Sequence, residues 1–521
     1  MNLVIARETQ IDSLCDSQAW DIVVIGGGAT GLGTALDAAN RGYRTLLLER
    51  GDFAQATSSR STKLIHGGVR YLARGNVWLV REALRERGIL LRNAPHLVHA
   101  REFIVPAYRW WERAYYGIGL TLYDLMAGSY GFGRSQVLGR DEVLDRLPNL
   151  HSRGLSGGIT YLDGQFDDSR LAITLLRSLL DAGATALNYM PVTRLLKRGG
   201  KISGLIAQDC ETSREYTIEA RAVVNATGVF VDSIRGMDGA SSVPLVRPSQ
   251  GAHLVVDRSF LPGNSALMIP TTDDGRVLFA IPWHHRVLLG TTDTPVEATA
   301  VEPTPLADES DYLLSHIARY LEKPPTDSDV LTRFAGLRPL VGGGTLRSTS
   351  RLSREHVVVT SESGLITVTG GKWTTYRKMA EDTVERAIAV ASLPKRPCAT
   401  ETLKLHGWSS AVPEGEDWLR VYGSDLPALQ SLIREKADWN RPILPSLPFL
   451  KGEVVWAARF ESARTVEDIL ARRIRLLFLD VKGSLEAAPV VAELLARELG
   501  RDSAWIEKQI RDFNRVAAHY F

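Results

Sequence analysis

The sequence predicts an α/β fold in which a parallel sheet holds a dinucleotide, a broad antiparallel sheet covers it, and a helical region follows at the C-terminus. Three observations predict this: a strand, glycine turn, helix and strand over Asp21–Glu49; alternating strand patterns between Pro248 and Pro295; and helical periodicity over Trp418–Lys436 and Glu453–Phe521.

In the first unit, the apolar run Asp21–Ile25 feeds a turn in which Gly26, Gly28 and Gly31 stand at G-x-G-x-x-G spacing. The first glycine permits the tight turn, the second lets backbone approach a pyrophosphate, and the third lets helix and strand pack closely. Ala29 and Thr30 then open a helix whose unpaired amides suit the phosphates. A second strand, Arg44–Leu48, ends in Glu49, an acid about 20 residues on that accepts hydrogen bonds from an adenosine ribose. Together these make a Rossmann-like adenine dinucleotide site.

Composition narrows the function. The 521 residues exceed one ordinary core, and 62 basic against 60 acidic residues give a net charge of +2, which argues against a general nucleic-acid binder. Cys15, Cys210 and Cys398 form no C-x-x-C pair or metal spacing, so no metal site is expected and a reducing compartment is. The N-terminus lacks a basic region followed by an apolar core, and no apolar run is long enough to span a bilayer. The expected location is the cytoplasm or the surface of its membrane.

The segment after Glu49 is dense in hydroxyls, glycines and cations: Thr57-Ser58-Ser59-Arg60-Ser61-Thr62-Lys63-Leu64-Ile65-His66-Gly67-Gly68-Val69-Arg70-Tyr71-Leu72. Hydroxyls and free amides suit a loop wrapping pyrophosphate, from which His66, Arg70 and Tyr71 project toward the reactive end of the cofactor. This stretch, following the dinucleotide motif, resembles the signature of FAD-dependent glycerol-3-phosphate dehydrogenases of the respiratory type, within the wider D-amino-acid oxidase-like flavoproteins. The resemblance extends over nearly the whole chain. It implies FAD as cofactor, glycerol 3-phosphate as substrate and a quinone reached from the membrane surface as electron acceptor. Val69 and Trp373 stand where other apolar residues are usual.

Residues 76–100 read as a helix ended by Pro95. The stretch Tyr108–Met126 gathers Trp110, Trp111, Tyr115 and Tyr116 with Arg109 and Arg113, which suits either an interfacial segment or a core helix. Residues 155–163 alternate as a strand and a helix follows to Asp181; with the strands 184–192, 202–207 and 216–220 they suggest a small sheet returning to the nucleotide domain. Val192 is placed at the cofactor. Ala222–Gly228 then offers Ala226, Thr227 and Gly228 as a second edge of the cradle.

Beyond the strands of 248–295, Arg338, Arg354 and Lys372 form a cation cluster suited to a dianionic phosphate. Gly370, Gly371, Lys372 and Thr374 lie between a strand and a helix, an electropositive spot for an isoalloxazine made anionic by reduction; the resemblance implies that this segment closes over the flavin. Pro394–Pro397 marks a linker. The expected division is a flavin-binding domain over 1–393 (segments 20–75, 155–240 and 355–393, with cap segments 76–154 and 241–354) and a helical domain over 394–521. Thr465 reads as a helix N-cap, and the basic run Arg472-Arg473-Ile474-Arg475 as structural or oligomeric, so that a homodimer is one arrangement to test.

The expected chemistry moves a hydride from C2 of the substrate to FAD, with Arg338, Arg354 and Lys372 on the phosphate and Arg70 and Tyr71 near the substrate oxygens. The proton goes to His66 or His253, between which the residues do not choose. An oxygen-using oxidase and a noncatalytic flavin-binding module are the alternatives. An amino-acid oxidase fits less well, because it needs a carboxylate clamp.

Overall fold

A computed structural model describes residues 6–16, 18–69, 76–239, 243–342, 356–410 and 418–521. Of the residues singled out above, Arg70, Tyr71 and Arg354 lie outside the described ones.

The first sheet runs Val357–Thr360, Ile366–Thr369, Glu215–Asn225, Trp20–Ile25, Thr45–Leu48 and Thr185–Leu187. Its last five strands are mutually parallel. Trp20–Ile25 sits between two of them and is buried on both faces, which is why it reads as a continuous apolar run rather than an alternating one. Gly28 precedes the helix Ala29–Asn40. A methyl at Gly31 would overlap the carbonyl oxygen of Gly26, so the third glycine of the motif is what lets this helix lie on its strand. The strands Val192–Arg198 and Lys201–Gln208 extend from Glu215–Asn225 as an antiparallel arm.

The second sheet forms the wall above the cradle. Val246–Asp257 pairs antiparallel with both Val330–Val341 and Arg286–Gly290, and the order continues through Leu278–Trp283, Ala266–Ile269, Val98–Ala107 and Gly157–Phe166 to Leu64–Ile65. Ala266–Ile269 against Val98–Ala107 is a parallel pairing, so the sheet is mixed rather than wholly antiparallel. The strand expected over 155–163 belongs here and not to the small sheet: Gly157–Phe166 pairs along its length with Val98–Ala107 and receives Leu64–Ile65 on its other side. Strand alternation specifies a buried face but not which partner supplies the burial. Similarly, only Thr185–Leu187 of the expected 184–192 strand is extended in the sheet, because the chain turns through Tyr189 at φ 55° before Val192.

The C-terminal helices include Leu426–Arg434, Lys451–Phe460, Val481–Leu499 and Ser503–Ala517. They share one core with the second sheet, in which Phe478 and Leu495 pack in the same cluster as Val255, Leu288 and Phe334. Thr465 does cap its helix: the Asp468 amide donates to its Oγ1 at 3.2 Å and the Thr465 amide donates back to Asp468 Oδ2 at 3.0 Å. The basic run that follows is buried and structural. Arg472 Nε and Arg473 Nη1 reach Asp52 Oδ2 at 2.5 and 2.6 Å, and Arg475 Nη2 reaches Asp168 Oδ1 at 3.0 Å. These pairs fix the helical region onto the loop after Thr45–Leu48, which carries Asp52, and onto the start of the helix Asp168–Asp181.

Helix Trp110–Ala127 keeps only Leu120, Tyr123 and Ala127 buried, while Trp110, Ile118 and Leu125 are 84%, 73% and 74% exposed. The core-helix alternative is thereby excluded. Trp78 on the preceding helix is 76% exposed as well. No helix among the described residues is long and apolar enough to cross a membrane.

Candidate active site

Two adjoining cavities occupy the space between the sheets. The larger, about 370 Å³, is lined by Gly26, Gly28, Ala29 and Thr30 from the first turn and helix, by Glu49, and by Thr57 and Ser58 from the polar loop. Val192, Ala226–Gly228 and Gly370–Trp373 complete its walls. The smaller, about 200 Å³, is lined by Thr62, Leu64, His66, His253, Arg338, Lys372 and Thr374. Thr57, Gly371, Lys372 and Trp373 line both, so one opens directly toward the other.

The larger cavity has the features a dinucleotide requires. Glu49 lies beneath the glycine turn, its Oε2 accepting from the Gly27 amide at 2.6 Å and its Oε1 from the Gly51 amide at 2.9 Å. The carboxylate therefore braces the turn, and its pKa is raised by burial although both amides oppose this. Ser58 Oγ accepts from the Ala29 amide at 2.9 Å, fixing the polar loop against the helix N-terminus. Trp373 Nε1 donates to the Ser58 carbonyl at 2.9 Å, so the second glycine segment is held by the same loop.

The smaller cavity is lined by three cations, Arg60, Arg338 and Lys372, of which Arg60 pairs with Glu302 and Arg338 with Asp293 at 3.4 Å. Arg338 is anchored by donating from Nη2 to the Thr292 carbonyl at 2.8 Å and to Thr291 Oγ1 at 3.1 Å. It extends across Gly251, where a methyl would strike the guanidinium. His253 is 2% exposed, stacks on Phe334 with centroids 4.8 Å apart, and sets Nε2 3.0 Å from Thr62 Oγ1. Burial, reinforced by Lys63 and Arg338, holds its pKa well below the ordinary 6.5. The imidazole is thus held in its neutral form. Among the described residues no carboxylate lines this cavity.

A model of the FAD-dependent oxidoreductases matches residues 21–377, and a model described as the C-terminal domain of alpha-glycerophosphate oxidase matches 361–506. The mitochondrial glycerol-3-phosphate dehydrogenase of Rattus norvegicus is 40% identical over 535 residues, covering 95% of this chain and 72% of the relative. The chain belongs to the FAD-dependent glycerol-3-phosphate dehydrogenases. The mitochondrial member from Schizosaccharomyces pombe is 37% identical, with 98% and 89% covered. The glycerol-3-phosphate dehydrogenase of Bacillus halodurans, solved as a complex with FAD, superposes with a TM-score of 0.81 at 29% identity, covering 100% of this chain and 98% of that one. FAD is the cofactor of the family, and the glycine turn, the Glu49 brace and the paired glycine segments of this chain fit it.

For this glycerol-3-phosphate dehydrogenase, the structure gathers most of the residues singled out in the sequence around one continuous space. Three do not line it: Gly31 packs its helix against Gly26, and Ser59 and Lys63 are turned away. Ser59 is buried, its hydroxyl 3.4 Å from the Ala56 carbonyl. Lys63 donates to the Ser59 carbonyl at 2.8 Å and to Asp168 at 2.7 Å, behind the cavity wall; burial pulls its pKa down to about 7 against the pull of Asp168. Lys63 is therefore placed to shape the field at His253 rather than to touch the cofactor. Sequence reasoning missed Met190, Arg50 and Phe230, which line the larger cavity, with Arg50 4.0 Å above the Phe230 ring. It also missed Tyr123, whose hydroxyl accepts from the Gly67 amide at 2.8 Å and donates to Asp163 at 2.9 Å, fixing the loop beside His66. No local pattern marks these residues, because each acts through a distant segment.

Proposed function

We propose that this chain oxidises sn-glycerol 3-phosphate at C2 to dihydroxyacetone phosphate and that the electrons pass on to a quinone. One observation carries the reading: a cavity holding Arg338, Lys372 and two histidines, with no carboxylate lining it among the described residues, adjoins the dinucleotide cradle through Gly371 and Lys372. Bound FAD supplies the acceptor for the hydride from C2. Arg338 and Lys372 hold the phosphate dianion, the first as a directional fork and the second as a point charge. His253 takes the C2 hydroxyl proton, its neutral form being favoured by the same burial that excludes water. Arg354, on the phosphate, and Arg70 and Tyr71, near the substrate oxygens, keep the roles read from the sequence.

The reading is tested by anaerobic addition of glycerol 3-phosphate to the holoenzyme. The flavin absorption should bleach, and reoxidation should be faster with a soluble quinone than with oxygen. An unchanged spectrum leaves only a flavin-binding module. Stoichiometric peroxide with no quinone reduction identifies an oxidase, the reading favoured by the description of the C-terminal match.

Arg338→Gln should lower kcat/KM about a hundredfold, roughly 3 kcal/mol for one charge-assisted phosphate contact, with flavin content unchanged. Gly251→Ala, which pushes the guanidinium aside, should reproduce part of that loss, mainly in KM. Steady-state kinetics on both variants, with wild-type values in Arg338→Gln as the refuting result, checks the assignment.

The exposed Trp110, Ile118 and Leu125, with Trp78 exposed on the preceding helix, suit shallow insertion at a membrane surface where the quinone resides. Ile118→Glu together with Leu125→Glu should abolish flotation with anionic liposomes while leaving turnover with a soluble acceptor intact. Retained flotation would move the contact elsewhere.

A further inference from the structure

A third cavity, about 360 Å³, lies apart from the other two and shares none of their lining residues. Three parts of the fold meet there: His96, in the turn after the helix Val77–Asn93, with His99 on the strand Val98–Ala107; Trp283 and His284 at the hairpin turn of the second sheet; and Arg420 from the helical region. His99, Arg101 and Gln165 are bonded to one another, but three other side chains of the lining carry buried polar atoms with no partner among the described residues. His96 is 2% exposed, and neither ring nitrogen has a partner. The indole N–H of Trp283, 4% exposed, and Nε of Arg420 are likewise unsatisfied among the described residues. Groups of this kind on one wall are paired by whatever fills the cavity, water or a polar ligand.

The charge balance has the same sign. Arg420 donates from Nη2 to the Pro95 carbonyl at 3.0 Å, and no carboxylate among the described residues lies within ion-pair distance of it. Burial alone lowers its pKa, as expected for a guanidinium lacking an acidic neighbour. Arg101 lines the same wall, its Nε held by Gln165 at 2.6 Å. The single acidic residue of the lining, Asp167, is already engaged: Arg475 lies 3.5 Å away, His284 3.4 Å, and the Arg170 amide donates to it at 3.0 Å. His284 and His285 both adopt positive φ, 44° and 58°, at a turn where glycine or asparagine would be less strained.

We propose that this cavity is a second anion-binding site, taking a small oxyanion, phosphate- or carboxylate-bearing, with the Arg420 guanidinium as charge partner and His96 and Trp283 as hydrogen-bonding walls. An occupant touches the second sheet and the helical region together, so binding ties them and raises the melting temperature.

Calorimetric titration of the FAD-loaded enzyme with inorganic phosphate, and separately with acetate, tests the site. Arg420→Gln should bind one anion fewer per chain than the wild type, while competitive inhibition by phosphate against glycerol 3-phosphate stays unchanged because that reports the other site. Trp283→Phe removes only the N–H and should weaken the same binding about tenfold, the loss of one hydrogen bond to a charged group. It serves as the independent check if Arg420→Gln folds poorly. Loss with phosphate alone identifies a phosphate-bearing ligand, and loss with acetate alone a carboxylate. Equal stoichiometry in wild type and Arg420→Gln for both anions, or unaltered affinity in Trp283→Phe, overturns the proposal.

Discussion

His253→Ala should lower kcat about a thousandfold, within the range of a positioned proton acceptor, with FAD still bound. The residue sits on Val246–Asp257 in register with Gly290 on one neighbouring strand and Phe334 on the other. Gly290 has no side chain because a methyl there would strike the imidazole, and Phe334 supports the opposite face. The ring therefore has one position, set by three strands and not by a loop. Because its pKa is depressed by burial, Lys63 and Arg338, lowering the pH through the ordinary histidine range leaves it neutral. The profile of kcat at saturating substrate should accordingly stay flat from about pH 8 to about pH 6, whereas kcat/KM also carries the second ionisation of the substrate phosphate near pH 6. A fall with a midpoint near 6.5, together with a larger loss in His66→Asn than in His253→Ala, would transfer the role to His66.

Asp52→Asn is expected to be the most destabilising single change, by about 3–5 kcal/mol, because it removes the charge shared by two buried arginines and leaves Arg473 with no carboxylate partner among the described residues, while Arg472 keeps Glu467 and Asp468. Arg472 and Arg473 are essentially inaccessible to solvent, and Asp52 also accepts from Asn188 Nδ2 at 3.3 Å. Burial alone would raise the Asp52 pKa, but Arg473 and Arg472 outweigh it and hold the carboxyl below its ordinary value. The sign follows from that depression: the unfolded state binds the proton more readily, so the stabilisation is complete above about pH 5 and is lost as the pH falls through the folded-state value. Thermal unfolding across pH checks this. The gap between wild type and Asp52→Asn should be widest near neutrality and narrow in acid. Asp52 lies on the loop from Glu49 to Ser58, so the variant should also release FAD more readily. A melting temperature equal to wild type would show that the arginines find other partners.

The glycine turn, Glu49, the hydroxyl loop and the second glycine segment were legible in the sequence because each works through a local backbone requirement: a tight turn, a close approach, a helix N-terminus. Local chemistry fixes such features wherever the chain goes next. Even there the tertiary structure changes roles. Lys63 stands in the loop with the cofactor residues, yet its ammonium turns inward to Asp168, because a side chain's direction depends on what arrives from a segment about a hundred residues away.

By itself, the sequence determined a dinucleotide cradle, a cation-rich second site and a helical ending, since these rest on glycine spacing, charge type and periodicity. Only the tertiary structure decided that Gly157–Phe166 belongs to the upper sheet, that Arg472 and Arg473 grip Asp52, and that Lys63 turns inward to Asp168. Those outcomes depend on which surfaces bury one another across long stretches of chain, and desolvation of paired charges is a property of the packed interior that no local pattern encodes.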